Sequence, residues 1–214
     1  MPSRLNRVRA EFERRIREAE EFVLRCVHAR HASANRRALI ASQVEWVHEA
    51  AALKVVVASE QFLELTLGLY VLGHKTSTGY RPRRLKVVKS SLLSVQEVFR
   101  GDQQFVGWND ASVVIRRAER WLRDGEPYRT ALSGASQLLS YLKKMRDAIA
   151  HESDIAIEKY EDATRGLYGA LPKTVSPGAQ LLGPPPSGIP YLVGVNLFQA
   201  AMAVYRLVAQ GIVP

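Results

Sequence analysis

An arginine, an aspartate and a histidine lie close together in the segment 142–153. Asp147 and His151 are four residues apart, a spacing that puts two side chains on one face of a helix. Asp147 is therefore predicted to accept a hydrogen bond from one ring nitrogen of His151, leaving the other for proton transfer. Arg146 lies about 140° around a helix from His151, so these two are not an ordinary same-face pair. A guanidinium beside an apolar stripe needs a carboxylate or an anionic ligand.

The six residues 146–151, RDAIAH, resemble the Arg-x4-6-His signature of HEPN domains, the "higher eukaryotes and prokaryotes nucleotide-binding" superfamily. In that family a polar residue often follows the arginine, as Asp147 does here, and an alanine commonly precedes the histidine. The resemblance covers the helical core, about residues 36–168. It implies a helical bundle that dimerises, and a metal-independent endoribonuclease whose active site gathers the arginine and histidine of both subunits in one cleft.

The resemblance also implies a reaction, in which the 2′-hydroxyl of RNA attacks the neighbouring phosphate. His151 would take or deliver the proton, a contribution of roughly 10²–10⁴-fold. Arg146 would hold the phosphate and stabilise the charge of the transition state. We expect no cofactor and no metal. Some HEPN toxins carry a tyrosine two residues after the histidine, which a partner nucleotidyltransferase modifies; Ser153 stands there in this chain, so that modification is impossible at this position.

The expected function is an RNA-cleaving homodimer, a toxin or defence component with an antitoxin or another regulatory protein as its candidate partner. Two alternatives stay open: a non-catalytic HEPN-like module that binds RNA or protein, and a purely scaffolding helical module. The key residues also have a structural alternative. Arg146 would then pair with Glu152 or Asp154, and His151 would cap the end of its helix.

A run of six basic side chains without an acidic one between them occupies residues 75–89: Lys75, Arg81, Arg83, Arg84, Lys86 and Lys89. We predict that this run grips RNA phosphates while Tyr80 stacks on a base, with a solvated loop as the alternative. Lys144 is a further candidate for RNA binding. Glu60 and Glu64 lie one turn apart on an apolar helix. Glu60 is expected to anchor Arg146 or line the cleft, unless both lie on a solvated strip.

The excess of positive charge lies in the first part of the chain. Overall there are 30 basic and 21 acidic side chains, and residues 1–150 hold 26 and 16 of them. This asymmetry favours a polyanionic partner such as nucleic acid. The beginning of the chain has no apolar run, and polar side chains interrupt the apolar stretch 191–209, so we expect a cytoplasmic protein without a membrane segment. One cysteine excludes a disulfide framework and a cysteine zinc cluster.

The elements that must position these residues are helices. No glycine or proline occurs between Ser3 and Leu67. Apolar periodicity predicts helices over about 3–30, 36–72, 86–99, 110–124, 135–150, 154–165 and 191–209, with N-caps at Asp110 and Ser153.

The remaining segment is rich in proline. Six of the ten prolines lie within 172–190, which predicts an extended, polyproline-like strap without helix. Trp46, Trp108 and Trp121 are predicted to be core residues. The sequence therefore predicts one all-α domain over 1–214: a helical bundle with its core at about 3–168, a Pro-rich extended segment 169–190 and an added C-terminal helix 191–209.

Overall fold

A computed structural model describes residues 2–32, 39–101, 107–170, 176–187 and 195–214, with the backbone alone at 29–32. The break predicted between the first two helices spans 31–35; the first helix continues through Ala32, and 33–35 lie outside the described residues. So do 171–175 and 188–190 of the predicted strap and 191–194 of the predicted last helix.

Helices make up nearly all of the regular structure, and the predicted all-α helical bundle is confirmed. The described residues contain nine α-helices, a 3-10 turn at Arg123–Gly125 and no strand. The helices are α1 (Arg4–Ala32), α2 (Ala41–Val71), α3 (Leu92–Arg100), α4 (Ala111–Glu119), α5 (Tyr128–Ser133), α6 (Ser136–His151), α7 (Asp154–Tyr168), α8 (Pro177–Leu182) and α9 (Leu197–Ile212). None of them is long and apolar enough to cross a membrane.

The sequence signals place most of these helices correctly. Apolar residues at three- and four-residue spacing predict a buried stripe on α1 at Leu5, Val8, Phe12, Ile16, Ala19 and Val23. All of them are buried except Val8, which is half-buried. The side chain of Asp110 accepts hydrogen bonds from the backbone N–H groups of Ser112 and Val113, as predicted for an N-cap. Helix α3 begins later than predicted, at Leu92, because Ser91 caps it. Helix α5 was not predicted.

The prediction of an extended strap over 169–190 is wrong in its middle, where α8 lies. Pro177 occupies the first helical turn of α8, where the missing N–H of proline costs no hydrogen bond. The hydroxyl of Ser176 accepts the N–H of Ala179 and completes the cap. In this segment one proline starts a helix rather than preventing it.

The chain packs as two compact units, each built from separate segments. The first unit comprises Met1–Arg14, Val57–Ser140 and Val204–Pro214, and the second comprises Arg15–Val56 and Tyr141–Ala203.

Aromatic side chains form much of the core of the first unit. The rings of Phe12 and Phe62 stack with centroids 5.0 Å apart. The Tyr70 hydroxyl donates to the Ile212 carbonyl at 2.6 Å, and the Tyr128 hydroxyl donates to the Thr66 hydroxyl at 2.8 Å. Buried phenol groups therefore tie α2 to the end of α9 and to α5.

The second unit packs α2, α6, α7, α8 and α9 around their own aromatic contacts. His48 is buried against the edge of Phe198, and its Nδ1 donates to the Val44 carbonyl. Burial lowers the pKa of His48, which is the chief effect, while the bond to Val44 opposes it. Trp46 was predicted to be core but is 64% exposed, because it lies two positions, or about 200°, from Val44 on the buried stripe.

Candidate active site at the α6–α7 junction

The last turns of α6 carry the three residues of the predicted site. Leu142 and Met145 are buried on this helix, so its register is fixed against the core. Arg146 and Asp147 are half-buried beside that stripe, and His151 is the exposed last residue of the helix. The structure therefore places all three on the final two turns of one helix.

Arg146 and Asp147 form an ion pair with each other. The guanidinium Nη1 donates to Asp147 Oδ1 at 2.9 Å, and the two side chains are 26% and 33% exposed. The partner of Arg146 is thus its neighbour, not Glu152 or Asp154. The Asp147 carboxylate holds the guanidinium in place instead of making the predicted bond to the His151 ring, which has no hydrogen bond within the described residues.

His151 is open to solvent at the end of α6. A helix C-terminus favours a positively charged side chain, because unsatisfied carbonyl groups carry partial negative charge there. In the described part of the chain no ion pair or ring contact occupies its imidazole. Both ring nitrogens are therefore available to a ligand.

A tight connection follows His151 and fixes where α6 stops. Glu152 has a φ of +46°, an uncommon conformation for a residue other than glycine, and its N–H donates to the Ala148 carbonyl at 3.1 Å. Ser153 then caps α7, its hydroxyl accepting the Ala156 N–H at 3.3 Å. We call His151, Glu152, Ser153 and the Arg146–Asp147 pair the α6–α7 junction.

Carboxylates of α2 also belong to the surroundings of this junction in the second unit. Burial raises the pKa of Glu49, and the nearby charges of Glu45 and Glu152 raise it further, while the Gly178 N–H lowers it. Glu49 accepts that N–H at 2.8 Å, and Glu45 accepts the Ser176 hydroxyl at 2.7 Å. These two carboxylates hold the start of α8 against α2.

Three residues of the predicted RNA-binding segment contact other residues of the first unit. Arg84 donates to the Val71 carbonyl at 3.2 Å at the end of α2, so it is a structural residue there. Tyr80 is half-buried, and its ring lies at a right angle to that of Tyr70, 6.2 Å between centroids, so its stacking on a base stays a prediction. Lys86 lies 5.9 Å from the centre of the Trp121 ring.

Arg81 and Arg83 are exposed, and Arg81 lines a cavity together with other basic residues. These are Arg4, His74 and Lys75. Burial lowers the pKa of His74, and the charge of Arg4 lowers it further. Sequence reasoning missed Arg4; the signal that could have found it is an arginine in the first turn of a helix that has no acidic residue there.

Two predicted site residues remain, Lys144 and Glu60. Lys144 is half-buried on α6. Glu60 is half-buried on α2, and in the first unit its charge helps burial to raise the pKa of Tyr205. The auxiliary role of Glu60 stays a prediction. Among the described residues no three His, Cys, Asp or Glu side chains converge as metal ligands.

Comparison with known proteins finds no matching family model, no similar curated protein and no similar solved structure. The HEPN resemblance therefore stays an expectation that rests on residues 146–151.

Proposed function

We propose that the protein is a metal-independent endoribonuclease that cleaves RNA at the α6–α7 junction. The observation that carries this proposal is the exposed imidazole of His151, which has no partner among the described residues and lies five residues beyond the anchored guanidinium of Arg146. An imidazole exchanges protons near neutral pH, and a guanidinium recognises phosphate oxygens bidentately. This pair supplies the groups that phosphodiester cleavage by an internal hydroxyl requires.

In the proposed reaction the 2′-hydroxyl oxygen attacks the adjacent phosphorus and gives up its proton to a neutral His151. The bond from phosphorus to the 5′-oxygen breaks, and a protonated His151 delivers a proton to that oxygen. The products are a 2′,3′-cyclic phosphate and a 5′-hydroxyl. Arg146 stabilises the negative charge on the phosphate oxygens, and Asp147 positions Arg146 through their ion pair.

A second copy of the chain provides the second histidine in this proposal. Arg146 and His151 project about 140° apart around α6, so two copies facing each other bring these groups together better than one helix does. Ile155, the first apolar residue of α7 after the junction, is 65% exposed, and Ile157 is 41% exposed. Exposed apolar side chains beside the site favour a homodimer interface there.

The test compares RNA cleavage by the wild-type chain with that by His151→Ala and Arg146→Ala, in the presence of EDTA. We expect His151→Ala to slow cleavage by about 10²–10⁴-fold and Arg146→Ala by about 10²–10³-fold. His151 is exposed, so His151→Ala should change the melting temperature and sedimentation little. Arg146→Ala also removes the half-buried ion pair with Asp147, so a small fall in melting temperature is expected for that variant.

Matched controls are available on α1. His28 and Arg17 are an exposed histidine and an exposed arginine, and His28→Ala and Arg17→Ala should cleave at the wild-type rate. Undiminished cleavage by both junction variants would falsify the assignment of this site.

One observation favours a second function. Arg146 is engaged by Asp147, as expected of a structural arginine in a helical module that binds RNA without cleaving it. That function predicts salt-sensitive RNA binding by the wild-type chain and no product after long incubation.

A further inference from the structure

A cavity of about 600 Å³ lies in the first unit, where the start of α1 meets the loop that follows α2. Its lining contains no acidic residue. Four of the lining residues can carry positive charge, and the other three are small: Arg4, His74, Lys75 and Arg81, with Ser3, Gly73 and Gly79. We call this cavity the cationic groove.

The cations of the groove have no carboxylate partner within the described part of the chain. Elsewhere arginines pair with acids, as Arg9 does with Glu13 at 3.0 Å. Arg4, Lys75 and Arg81 form no such pair. Arg4 instead faces another ionisable base, because its charge contributes to the lowered pKa of His74. Like charges held together repel one another, and an anion in the groove would relieve that repulsion.

Hydrogen bonds join the two backbone segments that carry these cations. The Ser3 N–H donates to the Ser77 hydroxyl at 3.0 Å, and the Ser77 N–H donates to Asn6 Oδ1 at 2.7 Å. These bonds tie the first turn of α1 to the loop. Within the loop the Thr76 N–H donates to the Tyr80 carbonyl at 2.9 Å. The backbone that carries the groove residues is thus ordered without a ligand, which lowers that part of the entropic cost of binding.

Glycine at position 73 is required for this geometry. Gly73 has a φ of +89°, and a Cβ there would lie 2.7 Å from Nη1 of Arg84. Arg84 itself is bonded to the Val71 carbonyl. The backbone that carries His74 and Lys75 is therefore locked against the end of α2.

We propose that the cationic groove binds phosphate groups of an RNA strand, at a site separate in sequence from the cleaving residues of the α6–α7 junction. This proposal rests on the proposed function in one respect, that RNA is the substrate. Phosphodiesters suit the groove because each carries a full negative charge that two guanidinium groups and one ammonium group can contact. The groove then contributes affinity for RNA and no proton transfer.

The test measures binding of a fluorescent, single-stranded 2′-O-methyl oligonucleotide, which lacks the attacking hydroxyl and cannot be cleaved. Fluorescence anisotropy gives the Kd of the full chain from 50 to 200 mM KCl. The groove variant combines Arg4→Gln, Lys75→Gln and Arg81→Gln. The matched control removes three exposed cations that do not line the groove, through Lys54→Gln, Arg120→Gln and Lys159→Gln.

We expect the groove variant to lower the salt slope of log Ka by about 2, at about 0.7 per lost phosphate contact, and to weaken binding on the order of 10²-fold at 50 mM salt. The control variant should stay close to the wild type. Equal slopes and equal Kd values for the two triple variants would overturn the proposal, as would a wild-type chain that does not bind the oligonucleotide.

If the groove variant fails to fold, a second measurement on the wild-type chain tests the proposal. The ring protons of His74, assigned through His74→Gln, should shift when the oligonucleotide is added to the wild-type chain; unchanged resonances overturn the proposal. Failure of the proposed function looks different. A chain that binds through the groove but never cleaves RNA refutes the ribonuclease, whereas a chain that cleaves RNA and binds equally well without the groove cations refutes the groove.

Discussion

The α6–α7 junction and the cationic groove both contain arginine and histidine, yet they are built in opposite ways. At the junction Arg146 is held by an acid, and the ring of His151 is exposed. In the groove Arg4 pairs with no acid of the described chain, and its charge lowers the pKa of His74. Proton transfer requires a positioned base beside a positioned charge, whereas binding of a polyanion requires only unpaired positive charge. The two proposals therefore assign cleavage to residues of the second unit and affinity to residues of the first.

The largest expected effect is a change in the kinetic constants of RNA cleavage, which separates proton transfer from RNA binding. With RNA at saturation, His151→Ala should lower kcat by about 10²–10⁴-fold and leave KM nearly unchanged. The triple groove variant should raise KM and leave kcat unchanged, because uniform binding is lost. Steady-state cleavage of one RNA substrate measures both constants. A groove variant with a strongly reduced kcat would break the comparison.

Gly73→Ala should destabilise the scaffold of the groove by about 2–3 kcal/mol. A left-handed conformation costs a residue with a side chain about 1–2 kcal/mol, and the new methyl group would also collide with Arg84. Gly79→Ala is the matched control. Gly79 has nearly the same φ as Gly73, but a Cβ there would meet no other atom, so the expected loss of unfolding free energy is about 1 kcal/mol. Urea unfolding measures both, and equal losses would show that the Arg84 contact does not matter.

Ser153→Ala should lower the free energy of unfolding by about 1 kcal/mol, because α7 loses its N-cap. Ser91→Ala removes the matching cap from α3 in the first unit and should cost a similar amount. Only Ser153→Ala is expected to slow RNA cleavage, since Ser153 lies within the connection that positions His151. Thermal unfolding and cleavage assays test the pair, and equal cleavage rates contradict this account of the junction.

The smallest expected effect is a change in the pKa of His74. His74 should titrate below the ordinary value of 6.5 because of burial first and Arg4 second. Arg4→Gln should raise the pKa of His74 towards 6.5, while burial keeps it lower than that. Since the unfolded chain binds this proton more readily, the contribution of His74 to stability is lost as the pH falls below 6.5. The ring protons followed by NMR against pH report the change, and an identical titration in Arg4→Gln would contradict it.

Local signals predicted much of the fold because they act between neighbouring residues. The stripe of α1 and the caps Asp110 and Ser153 lie where the sequence places them. The high proline content of 169–190 predicted an extended segment and so did not reveal α8. Pro177 lies in the first turn of that helix, the turn that tolerates proline. Trp46 was misassigned because residue type was weighed above its register on α2.

The candidate site was predicted in part for the same reason. Spacing alone put Arg146, Asp147 and His151 on one helix end, but it did not show that the carboxylate bonds to the adjacent arginine. The cationic groove could not be predicted from short-range sequence patterns. Arg4 lies beside His74 and Lys75 through a long-range contact, in which Ser3 bonds to Ser77 across 74 residues of chain.

The most direct measurement is the mass of the products formed from a DNA oligonucleotide that contains one ribonucleotide, in EDTA. For the wild-type chain we predict one cut after the ribonucleotide, with a 2′,3′-cyclic phosphate on one fragment and a 5′-hydroxyl on the other. His151→Ala and Arg146→Ala should leave the oligonucleotide intact over the same time. An intact oligonucleotide with the wild-type chain, or the same products from both variants, would contradict the assignment of RNA cleavage to this junction.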